Sequence, residues 1–151
     1  MTAKRTRLLR LAAVQLATIV GMLHVWLGIR EWSYYRGDVF WPPDIRVVLW
    51  TLSGLVLLVG VSIVVLEEMT DRRVYAAGAV LSMTFILGYY SWHLGGHRSF
   101  FVAGDPQHQG VGPIEFLVSH AVAGPVEFFA LLTEAALLLV LLLLCHPDPD
   151  A

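Results

Sequence analysis

Four apolar blocks, each about twenty residues long, dominate this chain. They cover residues 11–29, 45–66, 74–94 and 125–145. An α-helix needs about 20 apolar residues to cross the hydrocarbon core of a bilayer. Inside lipid, only a helix or a closed barrel satisfies every backbone donor and acceptor internally. The blocks therefore predict an all-α integral membrane four-helix bundle, antiparallel and up-down, built as one transmembrane domain over residues 1–151. Hydrophobic residues make up 57% of the chain and charged residues 15%, against roughly 45–50% and about 25% in an ordinary soluble domain. A net charge of −2, with no basic stripe beyond the N-terminal segment, argues against a nucleic-acid partner.

Lys4, Arg5, Arg7 and Arg10 followed by an apolar block have the layout of a signal peptide. The block is longer than the 7–15 apolar residues of such a peptide. It ends at Arg30-Glu31-Trp32 without a small-residue cleavage site, so the expectation is a retained first helix. The fourth apolar region begins at Ile114 and is broken by Gly124-Pro125. Proline suits the first position of a helix, which predicts a short interfacial helix over 114–123 and a span over 125–145. The alternative is one long, kinked helix. The connections are short; they include the turn Trp41-Pro42-Pro43-Asp44, the charged stretch 67–73 and a Gly-rich third loop over 95–113.

Orientation is set by Lys and Arg near the span ends. The N-terminal cluster, with Arg72 and Arg73, outweighs Arg30, Arg36, Arg46 and Arg98 on the opposite side. The reading is a cell-membrane protein with both termini cytoplasmic. In that frame Trp26, Trp32, Trp41, Trp50 and Trp92 all gather toward the outer side. Tyr34, Tyr35, Tyr89, Tyr90, His24, His93, His97, His108 and His120 gather there too, which leaves Tyr75 and His146 inside. Aromatic belts ordinarily mark both interfaces; here one is nearly missing.

Helical spacing narrows the candidates. Ala13, Ala17, Gly21, His24 and Gly28 share a face of the first helix, and small residues so spaced let helices approach closely. Gly78, Ser82, Phe85, Tyr89 and His93 form a stripe on the third. His24 and His93 are thus expected to project into the bundle at similar depth, as candidate cofactor ligands. His93 and His97 have the i, i+4 spacing of a metal pair, weakened by the glycines between them. Glu127 and Glu134 lie two turns apart on one helix. Glu134 falls near mid-bilayer, where an ionised side chain costs roughly 2.5–3.5 kcal/mol on insertion scales. It must face the interior, with Gln15, Thr18, Ser82 or Thr84 as hydrogen-bonding partners, or stay protonated. The ordinary role for such a group is an interhelical hydrogen bond; the functional one is a proton or ion site. Cys145, alone in the chain, rules out an internal disulfide and reads as a small apolar residue.

The stretch Gly21-Met22-Leu23-His24-Val25-Trp26-Leu27-Gly28 resembles the GxxHxxLG pattern in the first helix of small four-helix membrane proteins from haloarchaea. Asp71-Arg72-Arg73-Val74-Tyr75-Ala76-Ala77-Gly78 is similar to that group's basic turn into its third helix. The resemblance covers about the first 90 residues and implies the four-span architecture without an activity. The third loop and the break at Gly124-Pro125 depart from it.

No Ser-His-Asp spacing, phosphate loop or HExxH occurs, so the leading expectation is a non-enzymatic accessory or structural subunit. Its partners are the bilayer and a second copy or a larger membrane complex. One alternative is a redox protein binding haem b or a transition metal through His24 and His93, since four-helix bundles build such sites between facing helices. The other is a proton-coupled small transporter using Glu134, with Glu127 and His120 on the outer approach.

Overall fold

A computed structural model of the chain describes residues 3–34, 45–66, 71–94 and 111–146. All its regular structure is helical: α1 (Ala3–Tyr34), α2 (Ile45–Leu66), α3 (Arg72–Leu94), α4 (Pro113–Ala121) and α5 (Pro125–Cys145). Four of them, α1, α2, α3 and α5, are long and apolar enough to cross a membrane. The Trp41-Pro42-Pro43-Asp44 turn, His97 and His108 lie outside the described residues.

Three spans match the apolar blocks closely, but α1 overruns its block at both ends. Its 32 residues extend about 48 Å, well beyond a hydrocarbon core of roughly 30 Å. Lys, Arg and Glu are good helix formers, so the helix continues through the charged flanks; the loss of apolarity ends the span and leaves the helix intact. The single kinked helix considered for 114–145 does not form. α4 stops at Val122, Gly124 takes up extended backbone, and Pro125 opens α5.

The spans form an antiparallel ring with one weak seam. Passing from Gly21 to Gly28 along α1, the neighbouring α2 residues run backward from Leu58 to Val47. α3 and α5 oppose each other likewise, with Gly78 against Leu141 and the Cys145 thiol 3.9 Å from the Arg72 carbonyl. α1 also packs on α5, whereas α2 and α3 barely touch. Ala13, Val20, Leu57, Tyr75, Ala79, Leu137 and Leu141 make the core. Outward faces carry exposed apolar side chains such as Leu52, Val56, Val59, Leu87 and Leu139. An apolar exterior of this extent marks a membrane surface.

The tightest contact lies between α1 and α2. A Cβ on Gly54 would stand 2.7 Å from the Gly21 carbonyl oxygen and 2.9 Å from Val25 Cγ2. One on Gly28 would collide with the Thr51 hydroxyl. Small residues here let the two backbones meet. Gly54→Ala should therefore lower stability by about 1–3 kcal/mol, the usual cost of overpacking. Gly60→Ala, where nothing lies within 4 Å of the new methyl group, should be neutral or slightly stabilising. Unfolding of the purified protein in detergent measures both.

Candidate functional site

The arrangement of α1 brings a histidine to the bundle interior. His24 stands about 60° around the helix from Gly21 at 3.6 residues per turn. While the glycine meets α2, the imidazole turns toward α3 and α5. Its ring stacks on Phe85 of α3, with centroids 4.1 Å apart and planes at 23°. Its Nε2 lies 3.4 Å from Glu134 Oε1 of α5. Both residues are only 4% exposed.

Glu134 lies inside the bundle as expected, but the side chain beside it is His24 and not Gln15, Thr18, Ser82 or Thr84. Thr18, Ser82 and Thr84 donate instead to carbonyls four residues back on their own helices, and Gln15 is exposed. A short hydroxyl in an apolar setting finds its own helix carbonyl nearest. The longer imidazole can cross to the next helix.

A backbone hydrogen bond orients the imidazole. His24 Nδ1 is 3.0 Å from the Val20 carbonyl oxygen. A carbonyl only accepts, so Nδ1 carries the hydrogen. Nε2 then faces the carboxyl either as a lone pair, with the proton on Glu134, or as N–H of an imidazolium, with Glu134 ionised. In both of these arrangements the pair is neutral overall. That is the arrangement a bilayer interior tolerates. At 3.4 Å the contact is longer than an optimal hydrogen bond.

The pair forms the floor of a cavity of about 480 Å³, within the range of small-molecule sites. We call this end of the bundle, where α1 and α3 finish, the far end. Apolar walls come from Leu27, Leu49, Phe85 and Leu131, while Glu127, Tyr89 and His93 line the approach. Arg46 of α2 lies over the Trp92 ring of α3, 3.4 Å from its centroid, which joins the otherwise loose seam by a cation–π contact. On the near side of the pair, Val20 and Leu137 are fully buried and close the interior with hydrocarbon.

A second cluster stands above the cavity. His93 and His120 meet edge to face with centroids 4.6 Å apart. Each directs Nδ1 to the carbonyl four residues back, Tyr89 and Phe116 respectively, at 2.8 Å. Tyr89 and Tyr90 donate their hydroxyls to the His120 and Leu117 carbonyls, at 2.7 and 3.2 Å. α4 is thereby tied across the end of α3. Glu127, the third residue of α5, folds over Gly124, where a carboxylate favours the helix N-terminus.

His24 and His93 line the same cavity but not at the same level, a correction to the expected common depth. His24 lies beside Phe85, eight residues before His93 on α3, a rise of about 12 Å. Helical stepping put the two on inward faces without measuring how far along the bundle each lies. His97 lies outside the described residues. Among the described residues, no three His, Cys, Asp or Glu side chains gather as a metal-binding group. The His24–Glu134 pairing, the tyrosine ties to α4 and the Arg46–Trp92 contact were not anticipated.

Comparison with known proteins gives no match to a family model, a curated protein or a solved structure.

If the pair acts as a unit, cutting back one partner strands the other's buried polar atoms, at about 1–3 kcal/mol. His24→Leu and Glu134→Leu should each destabilise by that order, and the double variant by clearly less than their sum. Glu134→Gln, whose amide can donate to Nε2, should stay close to wild type. A double-mutant cycle from unfolding in detergent reads the coupling; strict additivity would show that the side chains do not interact.

Proposed function

We propose that this protein is a small non-enzymatic membrane subunit whose far-end cavity binds a small hydrogen-bonding molecule drawn from the bilayer. The observation that carries this reading is the His24–Glu134 pair at the floor of a mainly apolar cavity. Ligand sites characteristically combine apolar walls with a few convergent polar groups. A neutral pair sharing one proton can donate to a carbonyl or accept from a hydroxyl by shifting that proton. The weak α2–α3 seam beside the cavity supplies an entrance from lipid.

The wider assignment follows from charge and composition. The N-terminal basic cluster favours a cytoplasmic N-terminus, an even number of spans returns the C-terminus to that side, and the cavity then belongs to the outer half of a cell membrane. The motif around His24 agrees with the haloarchaeal four-helix group. An accessory role implies a second copy or a larger membrane complex as partner, which crosslinking in native membranes tests. An epitope placed after Ala151 should react with antibody only in permeabilised cells; labelling of intact cells would reverse the orientation.

Organic extraction of the purified protein followed by mass spectrometry tests the ligand. Wild type and Glu134→Gln should carry the same co-purifying small molecule. Glu134→Leu should carry at least tenfold less. Equal amounts in all three, or none in wild type, would overturn the reading. Two further arms address the alternatives. A Soret band lost in both His24→Ala and His93→Ala would assign haem instead. Proton-coupled flux in liposomes that disappears in Glu134→Gln would assign transport.

A further inference from the structure

A smaller cavity of about 170 Å³ lies in the near half of the bundle, along the same α2–α3 seam. Leu81 lines both cavities. Apart from Arg10 and Tyr75, every residue lining the near cavity is apolar or glycine. Arg10 Nε and the Tyr75 hydroxyl are both shut away from solvent, and neither has a hydrogen-bond partner. Tyr75 is only 5% exposed.

Two buried donors without acceptors are unusual. Most buried polar groups are paired, and an exception calls for a bound group or a water. Leaving such a donor unmade costs about 1–3 kcal/mol. Both groups can donate, and guanidinium is the side chain best matched to phosphate. The setting is also basic: Lys4, Arg5 and Arg7 precede Arg10 on α1, and Arg72 and Arg73 open α3 two residues before Tyr75. Basic pockets between membrane helices are typical anionic headgroup sites.

We propose that the near cavity binds one anionic phospholipid. Its phosphate oxygen accepts from Arg10 Nε and the Tyr75 hydroxyl, and an acyl chain lies along the seam toward Leu81. The cationic cluster at this end supplies the preference for an anionic headgroup. This site is separate from the His24–Glu134 cavity and does not depend on its ligand.

The test uses the full chain, delipidated in detergent and then supplied with phosphatidylglycerol, phosphatidylcholine or inorganic phosphate. Native mass spectrometry counts bound lipid and thermal unfolding reads stabilisation. Wild type should retain one phosphatidylglycerol at least fivefold more than phosphatidylcholine and gain thermal stability from it. Arg10→Gln and Tyr75→Phe should each lose most of that retention, whereas Arg30→Gln, which removes an exposed charge at the far end, should keep it. Without lipid, Tyr75→Phe should be no less stable than wild type, because it removes an orphaned hydroxyl. Stabilisation by inorganic phosphate alone would mean an anion site without a lipid. Retention unchanged in Tyr75→Phe and Arg10→Gln would mean that a trapped water satisfies the two donors. Either result overturns the proposal.

Discussion

Everything inside this bundle depends on how closely α1 approaches α2. Gly21, Gly28 and Gly54 remove the side chains that would hold the helices apart, so backbone meets backbone along two turns. In a bilayer, where lipid tails are as apolar as leucine, such contact is a principal source of association between helices. It also fixes the rotation of α1. With the glycines turned to α2, His24 has one direction left, across the bundle to Phe85 and Glu134. The buried carboxyl thus obtains its partner through a packing decision made on a different helix pair.

Much of this was legible in the residues. Block length and the Gly124-Pro125 break located α2, α3, α5 and the short α4, because apolar length and proline chemistry are local properties. The inward face of α1 was legible for the same reason. What periodicity could not supply was depth. It fixes the angle around a helix axis and is silent about which residues of two helices share a level. Counting from the near end supplies that missing coordinate. Residue 24 lies thirteen positions beyond residue 11, and residue 134 lies eleven before residue 145. At about 1.5 Å per residue the two fall within one turn of each other. Residue 93 lies nineteen positions beyond residue 74, clearly farther along. The tyrosine ties to α4 and the Arg46–Trp92 contact required the tertiary arrangement, since each joins residues far apart in sequence.

The two halves of the bundle solve the polar problem differently. In the far half, polar groups are gathered against one another: imidazole beside carboxyl, imidazole to carbonyl, hydroxyl to carbonyl. The near cavity is lined by hydrocarbon except for Arg10 and Tyr75. Between them Val20 and Leu137 interrupt any polar continuity.

If the far-end cavity is entered through the seam between α2 and α3, as proposed, concentration takes on a different meaning for its ligand. A cavity that opens to lipid samples solutes at their membrane concentration, set by partitioning, rather than at their aqueous one. Each methylene group that a solute buries in the bilayer contributes about 0.8 kcal/mol to that partitioning, roughly fourfold in local concentration. For the ligand proposed above, modest contacts inside the cavity would then suffice for occupancy. On that proposal, selectivity among solutes would rest first on their solubility in lipid and only second on the protein side chains that meet them.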